Sequence, residues 1–297
     1  MISMVPFDAD QILCPVDRSE LSSLALKYAV AGARVFGARL TVLEAVHFDY
    51  PRYLSEELTN TVLKELGHYK NSARKDLESH VRSIIGDSIE HIRISYRISD
   101  RQPVQAISQT IEETDSSLVV MGTHGYSGVK HWMLGSVTEG LLHLSKIPIF
   151  AVRQKTDAFI DVNRTGAEPK IRHILCPCDM SPASARALLL ATSLASRFEA
   201  RLDALWSTSN DAGEGRQFQN WIEQTIQGYY PVSSLIRQGQ AATQALAAAV
   251  EMQSDLIVIG ARHRSFGENT VLGRTTELVL RHASVPVLAV PYFKEAV

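Results

Sequence analysis

Apolar residues along this chain fall into short, nearly continuous runs separated by stretches in which they recur every three or four positions. In the first half the runs are ILCPV (12–16), LTVLEAV (40–46), IRISYRI (92–98), SLVVM (117–121) and IPIFAV (147–152). In the second they are HILCPC (173–178), LDALW (202–206), VSSLIR (232–237), LIVIG (256–260) and VPVLAV (285–290). Runs of this length, apolar on both faces, are what parallel strands covered by helices on both sides require. Leu24, Tyr28, Ala31 and Val35 lie at helical spacing between the first two runs and predict the buried stripe of an amphipathic helix. A longer helical stretch, residues 53–86, carries Leu58, Leu66, Tyr69, Leu77 and Val81 above a charged face. Ser181-Pro182 reads as an N-cap followed by proline in the first helical turn. Ser19-Glu20 takes the same reading, and Ser99 or Asp100 is expected to cap a helix with Pro103 in its first turn. Strands alternating with helices in this way predict α/β domains of the open, doubly wound kind.

The pattern also occurs twice. Residues 10–46 match residues 172–208 at a constant offset of 162: both carry ILCP, an aspartate two residues beyond the proline, a serine two further, and ARL opening the next strand. Later landmarks are closer, with Gly122 matching Gly260 at an offset of 138, so the second copy is 24 residues shorter in between. Most of that difference falls in the long helical stretch of the first copy. The expected division is a domain at 1–153, a polar linker at 154–170 containing Gly and Pro, and a second domain at 171–297.

Composition narrows the classes of function. Across 297 residues, 45% are hydrophobic and 21% charged, with a formal net charge of −2. That balance suits a globular protein and offers no electrostatic attraction to nucleic acid or an anionic membrane. No apolar run approaches the roughly 20 residues of a membrane-spanning helix, and no secretory leader is read at MISMVPFDAD, so a cytoplasmic location is expected. Cys14, Cys176 and Cys178 are read as small buried hydrophobes. Cys176-Pro177-Cys178 is not taken as half a metal site, because strand positions alternate faces and no second Cys/His pair is evident.

Candidate chemistry gathers where ligands bind in such sheets, outside the carboxyl ends of the strands at the point where strand order reverses. Pro15-Val16-Asp17 ends the first strand just before a helix. The fourth strand ends at Met121-Gly122, and the following loop contains His124 and Gly125 before a helix opens at Gly135-Ser136-Val137. Glycines at 122 and 125 permit a tight turn and close approach of a ligand to the backbone. The unpaired N–H groups and positive dipole end of the last helix suit an anion. Ser136 could cap that helix or bond a phosphate, and Asp17 suits a ribose hydroxyl or a base. Neither Gly-x-Gly-x-x-Gly after the first strand nor Gly-x4-Gly-Lys-[Ser/Thr] is present. His124 and His131 have no partner carboxylate or ligand set at suitable spacing, so no catalytic residue and no metal ligand is assigned.

Taken together these motifs resemble the universal stress protein family. Gly-x2-Gly-x9-Gly-[Ser/Thr] is met by Gly122, Gly125, Gly135 and Ser136, Pro-x-Asp-x-Ser by Pro15, Asp17 and Ser19, and the closing strand fits as well. The resemblance covers nearly the whole chain as two units. It implies two Rossmann-like domains, each with a five-stranded parallel sheet in the order 3-2-1-4-5, packed as a pseudo-twofold pair through their last strands. It further implies ATP, with or without Mg²⁺, held between the first and fourth strand ends. Pro15, Val16, Asp17 and Ala45 would then meet adenine and ribose. Met121, Gly122, His124, Gly125, Gly135, Ser136 and Val137 would line the ribose and phosphate side.

The second copy departs from the motif, with His263 in place of Gly125 and Arg274 in place of Ser136. A ring at 263 should crowd the backbone cradle and strain a positive φ, so nucleotide is expected mainly in the first domain. The expectation is an ATP-binding, non-enzymatic regulatory module of the stress response, forming a homodimer and acting through protein partners not identified by the sequence. A slow ATPase or phosphotransferase and a nucleotide-free assembly protein are the alternatives.

Overall fold

The computed structural model describes residues 7–46, 56–86, 92–123, 134–153, 170–208, 214–266 and 269–292, with backbone alone at 56–65, 214 and 262–271. In the first domain the order is β1 (Gln11–Val16), α1 (Glu20–Phe36), β2 (Arg39–Ala45), α2 (Glu56–Ile85), β3 (Ile94–Ser99), α3 (Pro103–Thr114), β4 (Leu118–Gly122), α4 (Ser136–Leu144) and β5 (Ile149–Val152). The second domain follows with β6 (His173–Cys178), α5 (Pro182–Phe198), β7 (Arg201–Thr208), α6 (Glu214–Ile226), β8 (Ser233–Gln238) and α7 (Ala241–Glu251). It closes with β9 (Leu256–Phe266), β10 (Asn269–Leu272), α8 (Arg274–His282) and β11 (Val287–Tyr292).

Each half forms a parallel sheet in the expected order, β3-β2-β1-β4-β5 and β8-β7-β6-β9-β11. The halves join edge to edge: β5 and β11 pair antiparallel, with Val287 opposite Ala151 and Ala289 opposite Ile149. Helices α1, α2, α5 and α6 cover one face of the continuous sheet, where Ile12, Cys14, Ile174 and Cys176 are fully buried. Helices α3, α4, α7 and α8 cover the other, over Leu13, Val119, Leu175 and Ile257. Joining the two edges also removes two rows of unpaired backbone groups. Side chains lock the halves together. Arg197 on α5 donates to the Val35 carbonyl at 3.1 Å, and its guanidinium lies 4.8 Å from the centre of the Phe36 ring. The Phe7 N–H donates to Ser193 Oγ at 2.7 Å.

Local sequence signals account for most element boundaries. Ser19 caps α1 and Ser181 caps α5, each accepting from the N–H three residues on, and Pro182 sits in the first turn of α5. Gly37 ends α1 in the left-handed conformation, φ 66°, that its missing Cβ permits. Helix α3 differs from expectation: Gln102, not Ser99 or Asp100, is its N-cap, without a side-chain bond. Asp100 instead accepts from Lys70 Nζ of α2 at 2.9 Å, which holds its carboxyl below the ordinary range. Within the α1 stripe Tyr28 and Ala31 are buried, whereas Leu24 and Val35 are half-buried at its margins. On α2, Leu77 and Val81 are fully buried but Tyr69 is 43% exposed, so the helix turns its inner face to the sheet only in its C-terminal half. Leu58 is outside the described side chains.

Cys176 and Cys178 require a correction. Residues two apart on a strand share a face, and their sulfurs stand 3.8 Å apart, with Cys178 Sγ also donating to the Cys176 carbonyl at 3.3 Å. Alternation separates neighbours, not these two. Both are buried, and burial pushes the Cys178 thiol well above its ordinary value, as it does that of Cys14.

Candidate functional site

The carboxyl ends of β1, β2 and β4 lie side by side, because β1 is flanked by β2 and β4 and the chain leaves it in both directions. Nine of the eleven candidate residues are described, and all nine sit on this edge. His124 and Gly125 lie outside the described residues. Val16 is buried at the end of β1 and registers with Glu44; Ala45, one residue further along β2, registers with Ser99 of β3.

Asp17 is exposed, and its carboxylate is partly occupied. Oδ1 accepts the Ser19 N–H at 3.1 Å, a tight turn that delivers the chain to the Ser19 cap. Arg18 between them takes a left-handed φ of 63°. Asp179 does the same in the second domain, accepting from the Ser181 N–H at 3.1 Å, with Met180 at φ 57°. Both aspartates are therefore turn residues first.

Opposite them, β4 ends at Met121-Gly122. The Gly135 N–H donates to the Thr123 carbonyl at 2.7 Å, which fastens the two ends of the intervening loop together. Thr138 Oγ1 donates to the Gly122 carbonyl at 3.0 Å and ties the first turn of α4 to the strand. Gly135 is the N-cap of α4 and has no side chain with which to cap it; Ser136 is the exposed first helical residue rather than the cap. The first-turn N–H groups and positive dipole end of α4 thus open onto the carboxyl edge of the sheet.

Gly122 has a role that the loop reading missed. A Cβ there would stand 2.8 Å from Leu21 Cγ on α1, so this glycine lets helix and strand pack closely. At Gly260 the obstacle is backbone, with the Ala183 carbonyl oxygen 2.6 Å away.

An ion pair at the rim, with Glu44 buried and Arg18 exposed, also went unpredicted. Arg18 grips Glu44 with two bonds, Nε to Oε1 at 2.6 Å and Nη2 to Oε2 at 2.9 Å. This pairing holds the Arg18 guanidinium above its ordinary value. The signal was a carboxylate inside the apolar run LTVLEAV: a buried Glu needs a cation.

The second domain keeps an open pocket of about 560 Å³ at the equivalent edge, between β6, β7 and β9 and the start of α8. Its lining aligns with the first domain at offsets of 162 and 138. Pro177, Asp179, Gly260 and Gly273 keep the residue types of Pro15, Asp17, Gly122 and Gly135. Cys178, Ser207, Arg274 and Thr275 stand where the first domain has Val16, Ala45, Ser136 and Val137. The expected strain at His263 does not arise, because 263 belongs to a strand. Strand β9 runs on through Phe266 and pairs antiparallel with β10, His263 opposite Leu272 and Phe266 opposite Asn269. A hairpin replaces the glycine loop, and β10 lies against α4 of the first domain.

Among the described residues no group of three or more His, Cys, Asp or Glu could hold a metal ion, and no helix is long and apolar enough to cross a membrane. Comparison with known proteins places these features in context. The model of the universal stress protein family matches residues 9–153 and again 170–291. A universal stress protein of Mycobacterium tuberculosis strain H37Rv is 25% identical over 301 aligned positions, covering 93% of this chain and 95% of that one. One from Bacillus subtilis is 31% identical over 157 positions, 48% of this chain and 99% of its own length. The crystal structure of a universal stress protein from Archaeoglobus fulgidus superposes with a TM-score of 0.70 at 24% identity, covering 95% of this chain and 98% of that chain.

Proposed function

Since the chain belongs to the universal stress protein family, we propose that it is an ATP-binding regulatory protein of the stress response. The nucleotide sits at the carboxyl edge of the first domain, with or without Mg²⁺. The observation that carries this reading is the N-terminus of α4, which Gly135 leaves without a side-chain cap and which opens onto the ends of β1 and β4. A phosphate there would accept hydrogen bonds from first-turn N–H groups and meet the Ser136 hydroxyl. Val16, Ala45, Met121 and Val137 supply the apolar walls for a base. Asp17, at the end of β1, would face a ribose hydroxyl. Pro15 and Gly122 fix the backbone beneath, and His124 and Gly125 complete the phosphate side by motif match.

The proposed role is non-enzymatic: among the described residues of this edge the candidate general base is Asp17, whose carboxylate accepts the Ser19 N–H in a turn. Signalling passes through other proteins, and a homodimer is part of the same reading, supported by the two edge strands β3 and β8 that the sheet leaves open to a partner.

Calorimetric titration of the full chain with MgATP, comparing the native protein with Ser136→Glu, tests the site. A carboxylate at the first position of α4 favours the helix dipole, so the variant should fold, yet it repels a phosphate. ATP binding is expected to fall roughly tenfold or more. A native protein that binds no ATP, or a variant that binds it unchanged, overturns the proposal.

A further inference from the structure

Two nucleophilic side chains, Cys176 and Cys178, lie next to each other on one face of β6. Their sulfurs are 3.8 Å apart, and the bond from Cys178 Sγ to the Cys176 carbonyl, 3.3 Å, keeps the second thiol turned toward the first. The first domain has half of this arrangement. At the offset of 162, Cys14 matches Cys176, but Val16 stands where Cys178 does.

A disulfide does not fit the pair. Two residues of extended strand advance by roughly 6.6 Å with their side chains nearly parallel, whereas a disulfide draws its Cβ atoms to about 4 Å. Closing that gap would pull β6 out of its ladder with β7, where Cys176 registers with Ala204 and Cys178 with Trp206. A single ion between the sulfurs requires no such movement. Metal–thiolate bonds are about 2.3 Å long, so two of them reach across any separation up to about 4.6 Å.

The number and softness of the ligands select the ion. Structural zinc takes four ligands, and among the described residues no group of three or more His, Cys, Asp or Glu is gathered for it. Sulfur discriminates against calcium and magnesium, which take oxygen. Two soft thiolates suit a soft ion of low coordination number, monovalent copper. A route in exists as well: Cys178 lines the open pocket of about 560 Å³ at the carboxyl edge, while Cys176, deeper along the strand, is fully buried.

We infer that β6 carries a dithiol site for one cuprous ion, bound through the sulfurs of Cys176 and Cys178. Two thiols and Cu⁺ give a bis-thiolate complex of charge −1 and release two protons to solvent; no electron is transferred. The complex forms at the strand end that leads into α5, whose positive dipole end begins at Pro182.

The probe is cuprous ion itself, offered without oxygen to the reduced full chain from its coloured bicinchoninate complex, whose bleaching counts the copper transferred. Cys178→Val installs the residue that the first domain carries at this strand position, and Val16→Cys completes the pair with Cys14. Circular dichroism verifies that both variants are folded. The native protein should take one ion per chain and Cys178→Val none, although Cys14 and Cys176 remain. Val16→Cys should take two, and excess zinc should displace none. The inference is overturned if the native chain takes no copper, if Cys178→Val takes as much as the native chain, if Val16→Cys gains no second ion, or if zinc displaces the copper.

Discussion

Position for position, the first domain builds with ion pairs and hydroxyls where the second builds with aromatics and buried charge. At the carboxyl edge, Arg18 and Glu44 form a two-bond ion pair beneath α2. Their counterparts, Met180 and Trp206, are apolar, and Trp206 packs on Phe218 of α6 with ring centres 5.6 Å apart. Phe218 in turn stacks on Trp221 at 5.9 Å. At the opposite edge the contrast reverses. Gln11 donates to Thr41 at 2.9 Å in a neutral network that reaches Ser95, whereas the equivalent His173 and Asp203 meet at 2.7 Å, with Arg201 on the same carboxylate. Yet Arg18 and Met180 share a left-handed backbone, Ser19 and Ser181 cap the same turn, and Thr138 and Thr276 make the same bond to Gly122 and Gly260, each at 3.0 Å. The backbone bonds that shape the strand ends are common to both halves, while the side chains beneath the second helix have changed as sets. A lone Met at 18 would strand Glu44; exchanged together, the pair can become apolar.

The comparison can be broken most severely at Phe218. It is fully buried between two tryptophans, and Phe218→Ala should cost about 3–5 kcal/mol in urea unfolding. A loss under about 1 kcal/mol would mean that the aromatic cluster does not hold α6 in place.

The two packing glycines give the next largest effect. Gly260→Ala drives a methyl against a backbone carbonyl and should cost about 2–3 kcal/mol; Gly122→Ala meets a leucine side chain that can turn away and should cost about 1 kcal/mol. Equal losses would show that Leu21 is as rigid as backbone.

The smallest effect is expected at the ion pair. Arg18→Met installs the second domain's residue and leaves a buried carboxylate without its cation. Since Arg18 is 42% exposed, screening should hold the loss to about 1–2 kcal/mol. Adding Glu44→Gln should recover part of it, and a double-mutant cycle with no coupling would remove the pair from the account.

Much of this architecture was legible in the chain. The apolar runs located the strands because both faces of the sheet are covered, so each strand advertises itself without alternation. Ser19 and Ser181 announced their caps because a serine ahead of a helical stripe has one dominant use. The hairpin of β9 and β10 was hidden by the repeat itself: reading residues 260–274 in the frame of the first copy imposed a loop on a segment whose Asn-Thr-Val-Leu stretch favours a strand. Gly122 was credited to a ligand because spacing names glycine positions but not which neighbour crowds them. Asp100 was taken for a cap, since sequence shows a carboxylate near a helix start but not the lysine that α2 brings to it. The candidate site was thus readable as a place on the sheet edge. Its division between turn-making, packing and ligand-facing duties was not.

The antiparallel joint between β5 and β11 has a directional consequence. Apart from the β9–β10 hairpin, strands within each half run parallel, and the halves run opposite ways, so their carboxyl edges face away from each other across the slab. The two carboxyl edges thus open on opposite sides of the molecule, which makes the chain a two-ended object. The two ends are joined by the seam where Ile149 and Ala289 meet and by the contacts flanking it, Arg197 with Val35 and Phe7 with Ser193.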